Sequence, residues 1–338
     1  MDSEKSLSIL LPFRDAANTL AECFQSIARQ TFGGFEIIAI DDHSTDGSTE
    51  LVRKLARSDD RIRLIPNKEQ GLVPALNLGL KLAHSSLVAR MDADDLMHPQ
   101  RLRMQYDYLQ QHPRCDLVSC QVRGIPEDGI GAGYTAYLQW QNSCLNHQDI
   151  ANEIYWESPL AHPSVMFRKD VVLKLGGYGD GMFPEDYDLW LRMIQAGCLF
   201  HKLDSVLLDW RDHGLRASRT QDRYSRSAFD RLRAKFLAQD PRLQQGRPLV
   251  IWGAGLKTRK RTRLLLECGY TATAWVDIDP RKMGNRIADA PVISPEAAKD
   301  IADAFVLSYV TNHGAKELIT RQLQAMGMER GQDYLMVG

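Results

Sequence analysis

The sequence predicts an α/β protein in two parts, a larger one over residues 1–240 and a smaller one over 247–338. Three observations predict it. Short apolar runs alternate with helically spaced segments through the first hundred residues. Acidic clusters stand where two of those runs end. The alternation fades in the middle of the chain and restarts beyond a polar stretch near residue 240. Strand–helix alternation builds a mostly parallel, here mixed, sheet with helices on both faces, and such sheets bind ligands outside the carboxyl ends of their strands.

In order, residues 7–11 form a first apolar strand, and 18–29 a helix with Leu20, Phe24 and Ile27 on one face. Residues 35–40 form a second strand that runs into Asp41-Asp42, and the Ser/Thr/Asp/Gly cluster after it caps the next helix. A strand at 62–65, a helix at 72–83 and a strand at 87–91 follow, the last running into Asp92-Ala93-Asp94-Asp95. From 121 to 204 the pattern is irregular and rich in Trp, Tyr, Gly and Pro, as an acceptor-side wall would be. A charged helix over 220–237 leads into the polar stretch 239–246, read as a linker. Strands at 249–252 and 273–276 enclose a helix and open the second α/β unit.

The bulk numbers restrict function. With 338 residues, 44% hydrophobic and 25% charged, the chain has the composition of a globular protein of about two domains. Its 42 basic and 43 acidic residues leave a net charge of -1, which argues against nucleic acid as a partner, although 211–233 is locally Arg-rich and suits an anionic one. The start, Met1-Asp2-Ser3-Glu4-Lys5, lacks the pattern of a signal peptide. No long apolar run predicts a membrane span, and peripheral membrane contact stays open. Six cysteines without a C-x-x-C pair read as reduced thiols, which predicts a cytoplasmic protein.

The carboxylates carry the chemistry. Asp92, Asp94 and Asp95 at a strand end offer hard oxygen ligands suited to Mn²⁺ or Mg²⁺, which takes one or two carboxylates and completes its shell with phosphate oxygens and water. The plain alternative is a solvated turn capping the helix near Pro99, but three adjacent acids repel one another. Asp42 can accept from a uracil N–H or a ribose hydroxyl, Asp46 being the better helix cap, and Pro12-Phe13-Arg14-Asp15 forms the other side of a base pocket. Glu185 and Asp186 open an amphipathic helix, where the macrodipole alone already favours acids.

At these residues the chain resembles glycosyltransferase family 2, inverting enzymes of the GT-A fold. Leu11-Pro12-Phe13-Arg14-Asp15-Ala16 is similar to its first-strand motif, and Ala39-Ile40-Asp41-Asp42-His43-Ser44 to its nucleotide motif. Gly71-Leu72-Val73-Pro74-Ala75-Leu76-Asn77 is similar to the helix start that follows, with Leu76 where many members carry Arg. Met91-Asp92-Ala93-Asp94-Asp95 matches the metal motif. His162-Pro163-Ser164-Val165-Met166, Gly176-Gly177-Tyr178 with Pro184-Glu185-Asp186, and Trp210-Arg211-Asp212-His213 complete the order across about residues 6–220.

The resemblance implies that Asp42 contacts the base, Asp94 is the main metal ligand, Asp92 assists through ribose or metal, and His213 is a further ligand or diphosphate contact. Pro12, Phe13, Arg14, Gly71 and Glu185 join the donor nucleotide site, and Asp186 is the catalytic base. It implies inverting, metal-dependent transfer of a hexose or N-acetylhexosamine from a nucleotide-diphosphate donor, UDP favoured. The acceptor is a hydroxyl of a carbohydrate or lipid-linked glycan, in bacterial surface-glycan or glycoconjugate synthesis. Processive members carry Gln-x-x-Arg-Trp. This chain has Arg219-Thr220-Gln221-Asp222-Arg223-Tyr224 instead, which points to single-sugar transfer.

The second unit opens with Val250-Ile251-Trp252-Gly253-Ala254-Gly255, which resembles a dinucleotide-binding fingerprint with Thr258 at the third glycine. Gly253, Gly255 and Asp277 are its candidate nucleotide site, and the unit resembles a small Rossmann-like domain. Docking or stability is the other reading. Two competing functions remain, an NAD(P)-linked sugar-nucleotide oxidoreductase and a non-catalytic nucleotide-sugar-binding protein. The first needs a Tyr-x-x-x-Lys or a catalytic Cys near the glycine loop, and none is convincing.

Overall fold

The computed structural model describes residues 6–338 apart from Gly129, Leu215 and His313, and all of Ala217 but its side chain. The Met1–Lys5 stretch read for a leader lies outside the described residues. Two compact units divide the chain. The first comprises Met1–Ile150 with Pro159–Gln221, and the second Ala151–Ser158 with Asp222–Gly338.

The first unit contains β1 (Leu7–Phe13), α1 (Ala17–Ala28), β2 (Phe35–Asp41), α2 (Ser48–Ala56), β3 (Ile62–Pro66), α3 (Leu72–Leu82), β4 (Leu87–Arg90) and β5 (Leu96–Met97). These are followed by α4 (Arg101–Gln111), β6 (Cys115–Ile125), α5 (Ala132–Ser143) and α6 (His147–Glu153), the last ending in the second unit. Then come β7 (Met166–Arg168), α7 (Lys169–Lys174), α8 (Glu185–Gln195), β8 (Leu199–Arg211) and the single turn α9 (Ala217–Thr220). Its eight strands stand in the order β3-β2-β1-β4-β7-β6-β8-β5. β3, β2, β1 and β4 run parallel, whereas β7 is antiparallel to both its neighbours. Every residue of β1 and β4 is buried, as strands covered by helices on both faces must be.

The early elements lie within two residues of their sequence-predicted ends. The middle differs. Where the pattern looked irregular, β6 and β8 are the longest strands, 11 and 13 residues, paired in parallel with three register shifts. Those shifts break the alternation of burial that marks a strand in sequence.

Glycine lets α3 approach the sheet. A Cβ on Gly79 would lie 2.0 Å from Leu10 Cδ1 and 2.6 Å from Ile40 Cδ1, so α3 sits closer to β1 and β2 than any side chain at that position allows.

The second unit contains α10 (Arg226–Leu237), β9 (Leu249–Trp252), α11 (Leu256–Leu266), β10 (Ala274–Val276), β11 (Arg286–Ile287), β12 (Ala290–Ile293), β13 (Phe305–Ser308), α12 (Ala315–Ala325) and β14 (Tyr334–Met336). The strand order is β11-β12-β10-β9-β13-β14, parallel from β12 to β14, with the order reversing at β9. This is the Rossmann-like sheet the sequence predicts.

The two compact units divide at other residues than the sequence reading expects. The stretch read as a linker is fastened inside the second unit, because Asp240 is buried and accepts from Tyr155 Oη at 2.9 Å and from Arg242 Nη2 at 2.6 Å. Arg242 also donates to Asn152 Oδ1 at 3.1 Å, and the Gly338 amide to the Tyr155 carbonyl at 2.9 Å. Residues 151–158, which read as acceptor wall, therefore complete the second unit.

Gly79→Ala is expected to lower the stability of the first unit by about 1–3 kcal/mol through overpacking. Urea unfolding of the full chain, followed by hydrogen exchange at α3 amides, measures it, and an unchanged midpoint contradicts the close approach.

Candidate functional site

The site is built at the carboxyl ends of the parallel strands β1, β2 and β4 and the residues that follow them. The β1 end is stitched to the β2 end. Asp42 N donates to the Phe13 carbonyl at 2.8 Å, and the Thr45 amide to Asp15 Oδ1 at 2.7 Å. Asp46 receives the Ser48 amide on one oxygen and the Ala17 amide on the other, so it serves the first turns of both α1 and α2. Pro12 and Phe13 are buried within β1, whereas Arg14 is exposed and lies 3.7 Å from Asp15. Asp42 is buried, and its Oδ1 accepts from Asn67 Nδ2 at 2.7 Å and the Gly71 amide at 2.8 Å. Gly71 can offer that amide because it adopts φ 131, a backbone conformation suited to glycine.

The acidic cluster follows β4. Asp92, Asp94 and Asp95 place one oxygen each within 4.8 Å of one another. Asp92 and Asp94 are partly open, and Asp95 is fully buried. Three opposing donors hold them. Arg90, buried at the end of β4, donates to Asp92 Oδ1 at 2.6 Å. Arg211, at the end of β8, gives its amide to Asp95 Oδ1 at 2.8 Å and its Nε to the Asp94 carbonyl at 2.7 Å. His213 Nε2 lies 2.9 Å from Asp94 Oδ2. Burial, then the charges of Asp92 and Asp94, push the Asp95 carboxyl well above the usual carboxylate range. Asp95 Oδ2 is buried without a hydrogen-bond partner among the described residues.

Glu185 and Asp186 open α8 with Pro184 at its N-cap, and Trp190 is fully buried one turn on. The loop before α8 is held to α3, because Asn77 gives Nδ2 to the Tyr178 carbonyl and receives the Tyr178 amide, both at 2.9 Å. Buried Tyr178 Oη is 2.9 Å from His162 Nε2, and burial with the nearby Arg90 charge keeps that imidazole neutral. Glu185 is buried, 3.9 Å from His162 Nδ1. Asp186 is half-buried. Burial first, and the Glu185 carboxylate second, push it up to about 7, with Asp92 adding to the rise. A carboxyl poised near neutrality is the protonation behaviour a general base requires.

Asp92, Asp94 and His213 thus meet, and the Asp92 charge reaches Asp186. Asp42 and Gly71 are bonded to each other at the β2 end. Gly253, Gly255 and Asp277 lie in the second unit. There Asp277 Oδ2 accepts from the Ala254 amide at 2.9 Å and Lys282 Nζ at 2.8 Å, and Oδ1 from the Asp279 amide at 3.0 Å. The carboxylate proposed for a ribose is occupied by its own loop. Sequence reasoning missed Arg90 and the pinning role of Asn77. A charge inside Leu87-Val88-Ala89-Arg90-Met91, directly before three acids, was a legible signal for the first. Asn77 carried none.

The family described as Glycosyl transferase family 2 matches residues 8–176. The O-antigen biosynthesis glycosyltransferase of Escherichia coli is 34% identical over 194 residues, 56% of this chain and 72% of that protein. The amylovoran biosynthesis glycosyltransferase of Erwinia amylovora is 31% identical over 204 residues, 60% of this chain and 74% of that protein. The crystal structure of S. aureus TarS in complex with UDP-GlcNAc shares the fold, with a TM-score of 0.57 at 18% identity over 78% of this chain and 71% of that one.

Asp186→Asn tests the environment of α8. The folded pKa, about 7, lies above the unfolded value of roughly 3.9, so ionised Asp186 costs stability above the unfolded pKa, increasingly so up to about 7. The variant is expected to melt higher than the parent at pH 8, with the gap shrinking toward pH 5. Equal gaps in Tm at both pH values reject the perturbed carboxyl.

Proposed function

The chain belongs to glycosyl transferase family 2 and is a glycosyltransferase, and on that premise we propose that it moves a single sugar, with inversion, from a UDP-sugar to an acceptor hydroxyl. The acceptor is a carbohydrate or a lipid-linked glycan destined for the bacterial surface. One observation carries the reading. A metal-type acid cluster and a carboxyl poised near neutrality occur together, close enough for Asp92 to act on Asp186. The relatives' roles in O-antigen and amylovoran biosynthesis support the acceptor class, and the UDP-GlcNAc held by TarS supports the nucleotide.

The donor set fits a hard divalent cation, since Asp95 Oδ2 is a buried oxygen without a hydrogen-bond partner among the described residues and Asp92, Asp94 and Asp95 each place an oxygen within 4.8 Å of the others. Asp94 with Asp92 and His213 would hold Mn²⁺ or Mg²⁺, which when bound offsets charge on the departing diphosphate by several kcal/mol. The protein does the rest. Asp42 and Gly71 shape the base side together with Pro12, Phe13 and Arg14. Asp186 takes the proton of the acceptor hydroxyl as that oxygen attacks the anomeric carbon opposite the diphosphate, worth roughly 10²–10⁴-fold in rate. Glu185, buried behind it, keeps that base from being too weak by disfavouring its ionised form.

Asp186→Asn is expected to bind UDP with Mn²⁺ as the parent does while losing sugar transfer about 10²-fold or more. Asp94→Ala loses the Mn²⁺-dependent part of UDP affinity. Titration calorimetry with UDP and Mn²⁺, beside a transfer assay, measures both, and equal loss of UDP binding in the two variants defeats the division of roles. In the parent, kcat/KM should fall as pH drops below about 7, because protonated Asp186 cannot accept the hydroxyl proton.

A further inference from the structure

The basic stretch between Arg226 and Glu267 lies outside the catalytic site. Between Arg226 and Glu267 the chain has eleven Lys and Arg against three Asp and Glu, within a protein of net charge -1. All three acids are already matched. Asp230 faces Arg233 at 3.1 Å, Asp240 faces Arg242 at 2.6 Å, and Glu267 faces Arg263 at 2.7 Å. Lys257, Arg259 and Lys260 are exposed and form no ion pair among the described residues. Much of the excess, on Arg231, Lys235, Lys257, Arg259 and Lys260, is exposed, whereas Arg261 is buried and Arg247 pairs with Asp303 and Asp333.

Its arrangement on α11 is one-sided. Thr258, Arg261, Thr262 and Leu265 recur at i, i+3, i+4 and i+7 and are the buried face. Leu256, Arg259, Lys260 and Arg263 recur at the same spacing and form the opposite one. Leu256 lies within this basic stripe and is 77% exposed. Ile278, 74% exposed, stands on the loop after β10, which the Ala254 amide bonds through Asp277 to the loop that precedes Leu256. Neighbouring α10 adds exposed Arg231 and Lys235.

We infer that this α11 face, with Leu256 and Ile278, is a contact for an anionic phospholipid surface. Cations attract the headgroup charge at about 1 kcal/mol each near the surface, and two aliphatic side chains can enter the headgroup–acyl boundary. The alternative polyanion, single-stranded nucleic acid, is held by stacking bases on aromatic rings. The exposed large apolar side chains among the described residues are Leu, Met, Val and Ile, none aromatic. The same residues contain no helix long and apolar enough to cross a membrane, so the contact is peripheral.

Flotation of the full chain with phosphatidylcholine vesicles, with and without phosphatidylglycerol, tests the inference. Binding is expected only with phosphatidylglycerol and should weaken with added salt. The triple variant Lys257→Glu, Arg259→Glu, Lys260→Glu should bind on the order of 100-fold less tightly. Leu256→Ser with Ile278→Ser should bind less while keeping the salt dependence. Thermal melting and sugar-nucleotide turnover in solution should stay at parental values in both, which separates this result from failure of the catalytic reading. Equal binding to neutral vesicles, no binding, a triple variant that binds like the parent, or tighter capture of a single-stranded oligonucleotide would each overturn it.

Discussion

Like charges gathered in one place set the terms for the first unit. Three aspartates within 4.8 Å repel one another, and a strand end without compensation would leave them protonated or splayed apart. The fold answers with side chains from two strands. Arg90 stands buried at the end of β4, and Arg211 and His213 stand at and just beyond the end of β8. β8 therefore closes a charge balance that β4 opened more than a hundred residues earlier. The length of β8, its parallel pairing to β6 and its position near the sheet edge all bring those two side chains to Asp94 and Asp95.

The same buried guanidinium sets how the two groups of acids differ. Arg90 lies near Asp92, Tyr178 and Glu185, so its field covers both sides of the site. Asp92 receives a direct charge-assisted bond from it. Asp186 meets Glu185 and low-dielectric surroundings instead, and its proton is held more tightly. Environments that differ in this way can give carboxylates different chemistry without any difference in residue type. Asn77 fixes the arrangement by tying the Tyr178 loop to α3.

Much of this was legible in the sequence because it follows strand ends. Asp42, Asp92 and Asp94 stand where apolar runs stop, and periodicity locates such points well. His213 was legible only through its motif, since nothing local marks a histidine as the partner of an aspartate 119 positions away. β6 and β8 escaped because register shifts disrupt alternation. Residues 239–246 look like a linker by composition, yet Asp240 is buried by Tyr155 and Arg242. A polar residue reads as exposed in a sequence, and only its partner, here far away in the chain, shows that it can be buried at little cost.

The second unit shows a related limit of averages. A net charge of -1 over 338 residues argues against a polyanionic partner only if the charges are evenly mixed. They are not. The acids between Arg226 and Glu267 are each spent on an arginine, and exposed Lys257, Arg259 and Lys260 at the start of α11 form no ion pair among the described residues and lie beside an exposed leucine. The glycine loop tells the complementary story, because Asp277 holds the Ala254 amide, the Asp279 amide and Lys282 together and fixes the loop without a ligand. A fingerprint in sequence specifies the backbone turn. What the turn is used for depends on whether its acid is left free, and here the acid is engaged while the neighbouring cations are not.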